Sequence, residues 1–424
     1  MKRDWTNIAV VICMFILLMS MTGCEDSAKS NEESENTLTV ITEASFQDNV
    51  NAAVKYMKEE LPDTRFRIQV LPINQEERDT EIQKLRTQIM AGSGPDVYLI
   101  NNFILETPEF LTPLFENPYK TMQGGVLASL DSYMEKDAYW NEGNYKKEFL
   151  AAGQSEGKQY IIPLSCRYKV LMSETGNMDN LKGKTLEEWL EEAKLSDNAP
   201  LKSLVSRCNM WAGQWIGNAA DYEKREVLFD KQKWETFFVS HLMYKREEWE
   251  NLTESENVIN FSDRSTDMRE DIQAVEPIPD LNGKRLATVQ AFGAVGMSCD
   301  DKENAYRFLM LFLNDEVQRE MAKQGKYSVL NGCIDMEMPV SEMGILNRAK
   351  EFGVSDEAAQ TALEGFRSLD GAYFITGVEK FLTDSVEEVS WRFDDPNADL
   401  TEWEAKASEF AEKAWNDYKM LIAE

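Results

Sequence analysis

Between Leu38 and Ile100 the apolar spacing alternates between a period of two and a period of 3.6, and that alternation limits the fold more than any other feature. Leu38-Thr39-Val40-Ile41 reads as a short strand. Val50, Ala53, Val54, Met57 and Leu61 then recur at helical spacing, and Pro62 follows the stop. Phe66, Ile68 and Val70 alternate with Arg67 and Gln69 as a second strand. Ile82, Leu85 and Ile89 share a helix face, and Gly92 stands where helices commonly end. Val97-Tyr98-Leu99-Ile100 is a third strand. Strand–helix–strand–helix–strand order predicts an α/β fold with a parallel or mixed sheet covered by helices.

Further along, Thr185-Leu186-Glu187-Glu188 is a capping box that opens a helix bearing Trp189. Residues 231–249 read as helical and residues 287–297 as extended. Asp300 with Glu303 opens a helix stacking Ala305, Phe308, Leu309, Phe312, Leu313, Val317 and Met321, closed by Gly325. Thr401 with Glu404 caps a last helix. At 424 residues the chain is too long for one ordinary core, and two domains are expected.

The balance of 45 basic against 75 acidic residues leaves a formal net charge of −30. Counterion release needs clustered Lys and Arg, so a general nucleic-acid binder is excluded. Adsorption of the body to anionic lipid is disfavoured too. The single histidine, His241, rules out an HExxH helix or a His-rich metal site, and no cofactor is expected. Asp395, Asn397 and Asp399 imitate the start of a calcium loop, but Leu400 replaces its Gly and Lys406 its bidentate Glu.

Lys2 and Arg3 precede a 14-residue run, residues 8–21, in which only Ser20 is polar. That is short of the roughly 20 residues needed to span a bilayer and has the length of a signal core. Met21-Thr22-Gly23-Cys24 resembles the bacterial lipobox. The resemblance implies a signal peptide over residues 1–23, with Cys24 acylated on its thiol and amine. Residues 25–36 hold no apolar residue except Ala28 and read as a solvated tether from Cys24 to a body beginning at residue 37. The body would then sit at the outer face of the cell membrane. Cys166, Cys208, Cys299 and Cys333 remain, and whether they pair is open.

Ala91-Gly92-Ser93-Gly94-Pro95-Asp96-Val97, a helix end before a short strand, resembles the N-terminal lobe of extracellular solute-binding proteins, the substrate receptors of ATP-binding-cassette importers. The same glycines fail as a phosphate loop, because the order is helix, loop, strand. Gly157-Lys158-Gln159-Tyr160-Ile161-Ile162-Pro163 is similar to the family's strand into the first crossing between lobes. Lys184-Thr185-Leu186-Glu187-Glu188-Trp189 is similar to a helix start of the family, with Leu186 where Trp is usual. Residues 294–314 resemble the return strand and helix, and residues 324–332 the approach to the last crossing; residues 195–290 match poorly.

The likeness, closest to the carbohydrate-binding branch, implies a two-lobe, type II periplasmic-binding-protein-like fold. Each lobe is a mixed sheet flanked by helices, with the ligand cleft between them. Lobe 1 is expected over residues 37–166 plus 288–331, and lobe 2 over residues 167–287 plus 332–424. It further implies a monomer that captures a sugar or oligosaccharide, hands it to a membrane permease and performs no chemistry on it.

In open α/β sheets ligands sit beyond the carboxyl ends of the strands. The candidates there are Glu43, Ser45, Phe46, Gln47 and Asp48 after the first strand and Asn101 and Asn102 after the third. Sugars require that mixture of hydrogen-bonding groups and rings. Trp211 and Trp215, four apart, would share a helix face as a stacking platform or pack in a core. Arg167 and Tyr168, Gln290 and Phe292, and Tyr373 and Phe374 complete the candidates near the crossings. Two other functions stay open: a surface glycan hydrolase, which needs two carboxylates although one histidine leaves little room for a Ser-His triad, and a binding lipoprotein serving a sensor.

Overall fold

The computed structural model describes residues 37–102, 111–138, 145–173, 178–195, 201–202, 215–228, 230–251, 259–262, 271–313, 341–351, 353–392 and 399–423. The signal run, Cys24, the tether, Cys208, Trp211, residues 314–340 with Cys333, and residues 393–398 lie outside them.

The expected alternation is present as β1 (Thr37–Glu43), α1 (Gln47–Glu60), β2 (Arg65–Leu71), α2 (Gln75–Met90) and β3 (Val97–Asn101). β1 lies between β2 and β3 and is parallel to both, with Val40 opposite Ile68 and Val97. α2 ends as the sequence indicates. Gly92 takes φ 73°, its N–H donates to the Ile89 carbonyl, and the Ser93 N–H donates to the Gln88 carbonyl. That is a Schellman stop, which needs a left-handed residue at this position.

β4 (Ile161–Arg167) and β5 (Val170–Ser173) follow, then α3 (Leu186–Leu195). The capping box of α3 is reciprocal: the Glu188 N–H donates to Thr185 Oγ1 at 3.3 Å, and the Thr185 N–H to Glu188 Oε2 at 2.7 Å. Next come α4 (Lys231–Asn251), β6 (Ile259–Ser262), β7 (Ala274–Pro277), β8 (Leu286–Val295) and α5 (Lys302–Met310). The N-cap of α5 is Asp301 rather than Asp300; its carboxylate accepts from the Asn304 N–H at 3.2 Å. The chain ends with α6 (Glu342–Glu351), α7 (Asp356–Arg367), β9 (Gly371–Tyr373), α8 (Gly377–Arg392) and α9 (Leu400–Ala423). At α9 it is Asp399, not Thr401, whose carboxylate takes the first free N–H, that of Thr401, at 2.7 Å.

β8 makes the first sheet mixed. It runs antiparallel to β3 (Val295 opposite Val97, Ala291 opposite Asn101) and antiparallel to β4 on its other edge. The register with β4 slips between Val289 and Phe292, a local irregularity of the bulge type. β9 pairs in parallel with Leu286–Thr288, completing the order β9-β8-β3-β1-β2 with β4 on β8. β5 is the centre of a second, antiparallel sheet between β6 and β7.

Buried side chains fall into two main clusters. One surrounds the first sheet and includes Val40, Ile41, Leu99, Ile162, Phe292 and Phe308. The other is largely helical, built on Trp189, Trp215, Trp234, Phe237, Leu382 and Tyr418. The family likeness placed residues 371–373 and the helices before them with the second lobe, whereas β9 joins the first sheet and Ile345, Leu363 and Phe366 pack in the first cluster. A three-residue strand has no periodicity to reveal its partner. No helix among the described residues is long and apolar enough to cross a membrane.

Candidate functional site

The carboxyl ends of β1 and β3 meet the middle of β4 across β8. Asn101 and Ser165 both pair with Ala291, on strands that flank β8, with the Ser165 side lying in the irregular stretch of the register. Thr42 stands opposite Leu99, two residues before Asn101 and therefore on the same face. Thr42, Asn102 and Ser165 are 0%, 2% and 1% exposed. Thr42 Oγ1, Asn101 Oδ1, both amide atoms of Asn102 and Ser165 Oγ are buried without a hydrogen-bond partner among the described residues.

Each such atom left unsatisfied costs about 1–3 kcal/mol, so a group of five calls for water or a ligand. The set offers two hydroxyls and two amides, which both donate and accept, as a ligand rich in hydroxyls requires. Among the described residues no three His, Cys, Asp or Glu side chains are grouped to hold a metal ion.

Beneath this edge runs a ladder of rings. Phe115 stacks on Phe292 at 6.4 Å, Phe292 meets Phe374 edge-on at 5.3 Å, and Phe374 meets Tyr119 edge-on at 5.6 Å. Tyr119 in turn stacks on Tyr222 at 5.2 Å. The ladder thus passes from the first cluster, which holds Phe292, to the second, which holds Tyr222. The Tyr119 hydroxyl accepts the Phe374 N–H at 3.0 Å. Thr376 and Glu379 cap α8, and Glu379 also accepts the Ala219 N–H at 3.1 Å, which ties the Tyr222 segment to that helix. Burial pushes the Glu379 carboxyl up, against the hydrogen bonds it accepts.

No family model matches the chain, and no curated protein matches it. Solved structures do. An extracellular solute-binding protein of family 1 from Alicyclobacillus acidocaldarius aligns with TM-score 0.50 and 14% identity, over 92% of this chain and 98% of the other. A periplasmic oligogalacturonide-binding protein from Yersinia enterocolitica aligns with TM-score 0.51 and 12% identity, over 89% and 99%. The chain has the two-lobed solute-binding-protein fold. A de novo designed cysteine esterase, ECH19, aligns with TM-score 0.53 and 12% identity, over 91% and 98%. At these identities the likeness concerns the fold, and the esterase chemistry does not transfer with it.

Within this fold the expected site residues separate. Asn101 lies in the unpartnered row, and the amide of Asn102, the next residue, is buried without a partner among the described residues. Gln290 borders it: its carbonyl accepts the Asn102 N–H at 2.8 Å, while its amide donates to Thr288 Oγ1 at 3.0 Å. Ser45, Gln47 and Asp48 are exposed at the start of α1. Glu43 is buried, and both its oxygens accept from Arg78 at 2.9 Å, so this carboxylate holds the end of β1 in place. Arg167 is buried where β4 leaves the sheet, its carbonyl accepting from Thr288 Oγ1 at 3.1 Å.

The candidate rings among the described residues pack inward. Phe46, Tyr168, Phe292, Tyr373, Phe374 and Trp215 are each no more than 1% exposed. Trp215 packs on Phe237 at 6.0 Å, a core position. Apolar spacing predicts burial, and burial against protein consumes a ring face that a ligand would need. Thr42 and Ser165 were missed because they lie inside strands rather than in loops. The signal available was a polar residue at an otherwise apolar strand position, as in Ile161-Ile162-Pro163-Leu164-Ser165.

One motif invites a hydrolase reading: Gly153-Gln154-Ser155-Glu156-Gly157 has the Gly-x-Ser-x-Gly spacing of a nucleophile elbow. An elbow is a strand-to-helix turn, and this segment is a β-hairpin, Gln154–Ser155 against Lys158–Gln159. Glu156 (φ 49°) and Gly157 (φ 73°) supply the two left-handed residues of its two-residue turn. Ser155 Oγ donates to Glu223 at 2.9 Å, and His241 is fully buried on α4, so this motif supplies no Ser-His pair. Cys166 and Cys299 are free and buried, and burial raises the Cys299 thiol to about 12, a setting that keeps it inert.

Proposed function

We propose that the chain is a lipid-anchored extracellular substrate-binding protein of an ABC importer, which captures a sugar or oligosaccharide and delivers it to a membrane permease. The observation that carries this reading is the set of buried polar atoms on Thr42, Asn101, Asn102 and Ser165 that have no partner among the described residues, at the carboxyl edge of the sheet. A relative in fold named for binding oligogalacturonide agrees with a hydroxyl-rich ligand. Two connections, Arg167 to Val170 out of the first sheet and Pro277 to Leu286 back into it, join the two sheets and serve as hinges. A ligand gripped from both sides favours the closed arrangement, and only that difference in affinity moves the lobes.

The test is a thermal-shift screen of the purified protein against oligosaccharides. A ligand at 100 times its Kd adds about 2.7 kcal/mol of stability. Asn101→Leu and Ser165→Ala should each weaken the best sugar roughly three- to tenfold, the worth of one neutral hydrogen bond. Neither change should lower the stability of the ligand-free protein, because neither side-chain oxygen has a partner among the described residues. Unchanged affinity in both variants, or no stabilisation by any sugar, defeats this reading. The ligand should also be recovered intact after overnight incubation; shortened product would make the protein a hydrolase.

Anchoring rests on the apolar run that ends at Gly23-Cys24. Cys24→Ser should abolish palmitate labelling and move the protein from the detergent phase to the aqueous phase. Labelling and partitioning that match the wild type would remove the lipoprotein from the proposal.

A further inference from the structure

Of the ten residues of β8 only Gln290 is half-buried, and the others are buried. The register gives the reason. Val289 pairs with Cys166 and Ala291 with Ser165, so Gln290 has no place opposite β4 and is the extra residue of the irregularity. A bulged residue is unpaired and its side chain is re-aimed, a device strands use beside binding sites. On the other edge Ala291 stands opposite Asn101, and the next N–H, that of Asn102, donates to the Gln290 carbonyl at 2.8 Å. Asn102 is 2% exposed, and both polar atoms of its amide lack a partner among the described residues. Gln290 thus stands beside a buried amide that still has its hydrogen bonds to make.

The amide of Gln290 is itself held in one orientation. Its nitrogen lies 3.0 Å from Thr288 Oγ1, and Thr288 Oγ1 lies 3.1 Å from the Arg167 carbonyl. A hydroxyl has one hydrogen, and a carbonyl can only accept. The Thr288 hydrogen therefore goes to Arg167, and Thr288 can only accept from Gln290. The group facing Thr288 must be the amide nitrogen and not its oxygen, which settles the choice that a side-chain amide by itself leaves open. Oε1 is left as an acceptor with no partner among the described residues. Thr288 is buried, which shields this relay from water.

We propose that Gln290 is a specificity-determining residue of the carbohydrate site: Oε1 accepts a ligand hydroxyl, and Thr288 is the positioning residue that keeps it turned to do so. The inference rests on the sugar-binding reading above and adds a group that selects among sugars. A free hydroxyl donates to Oε1. A deoxy position leaves that acceptor unmet, and a methyl ether sets oxygen against oxygen.

The probes are neutral disaccharides and trisaccharides of glucose, galactose, mannose and xylose, then the monodeoxy and mono-O-methyl analogues of the one that binds best, titrated calorimetrically. Wild type should lose roughly fivefold or more in affinity for analogues altered at the hydroxyl that reaches Gln290. Gln290→Leu should bind the parent sugar more weakly and cancel the discrimination at that hydroxyl alone. The main-chain bond to Asn102 survives this change, so the fold is retained. Thr288→Val keeps the shape of the side chain and removes the acceptor. The amide is then free to turn, and the discrimination should fall toward that of Gln290→Leu. The affinity ratio at one hydroxyl is a readout that a purely structural role of Thr288 would not move, and Thr288→Ser should restore it. Gln290→Leu with the same ratios as wild type overturns the proposal, as does full discrimination in Thr288→Val or none in Thr288→Ser. Those outcomes leave sugar binding itself intact; a wild-type protein that binds none of the probes fails the carbohydrate reading and takes this inference with it.

Discussion

Arg78→Met is expected to destabilise the protein by about 3–5 kcal/mol, the cost of removing one partner from a buried ion pair. Arg78 is 1% exposed although it lies on α2. Its guanidinium holds Glu43 through two bonds of 2.9 Å and donates to the carbonyls of Thr112 at 2.6 Å and Pro72 at 3.2 Å. Methionine fills a similar space but leaves a carboxylate buried without a cation. The double variant Arg78→Met/Glu43→Met should recover most of the loss, since replacing a whole buried pair by apolar groups is often neutral. Urea denaturation of both proteins checks this. A single-variant loss below about 1 kcal/mol, or a double variant as unstable as the single, would mean that the pair does not brace the end of β1.

The second large effect is a dependence of stability on pH that runs opposite to ordinary acid denaturation. Asp280 is 1% exposed in the turn between β7 and β8. One of its oxygens accepts the N–H groups of Asn282 and Lys284 at 2.8 and 2.9 Å. The other has no partner among the described residues and faces Gly217, where a Cβ would come within 2.0 Å of it; Gly217 is itself left-handed, at φ 66°. Burial raises this carboxyl from 3.8 to about 7, against the two N–H groups and Lys284, with Asp370 adding to the rise. The folded protein therefore holds a proton that the unfolded chain releases near 3.8. Stability from this group is full below that value and is lost as pH climbs through about 7.

The loss is on the order of 4 kcal/mol between pH 4 and pH 8. Asp280→Asn imitates the protonated carboxyl and keeps the acceptor for both N–H groups. Its stability relative to wild type should be small at pH 4 and grow by that amount toward pH 8. Asp96 and Glu379 are also raised by burial, so the variant retains a shallower slope of the same sign from these groups. Denaturation of both proteins at pH 4, 6 and 8 decides the matter: a difference between them that does not change with pH refutes the assignment to Asp280.

Both effects come from contacts that local sequence does not announce. Glu43 looked like a ligand group because it closes a strand of an α/β sheet. Its actual partner stands 35 residues later on α2, at a position that reads as surface. Asp280 sits in a turn sequence, Asp280-Leu281-Asn282-Gly283, which predicts the turn and not the wall of Gly217 behind it. Six of the seven rings proposed for the cleft lie among the described residues and are buried, yet apolarity does not distinguish a ring stacked on a sugar from one stacked on another ring.

What the sequence determined by itself is the part of the fold written in short-range periods and caps. The order β1-α1-β2-α2-β3 was legible, as were the Schellman stop at Gly92 and the reciprocal box of Thr185 and Glu188. Each depends on residues within a turn or two of one another, where backbone geometry is set locally. That Asn101 and Asn102 stand at the carboxyl end of β3 was also legible. Tertiary structure alone decided which strands flank β8, that β9 joins the first sheet, and that Thr42 and Ser165 share an edge with Asn101. It also decided that Ala219 is held by Glu379 from 160 residues away. The reason is physical: periodicity records that a face is buried, and only the assembled sheet and helices settle whether protein or an open site lies against it.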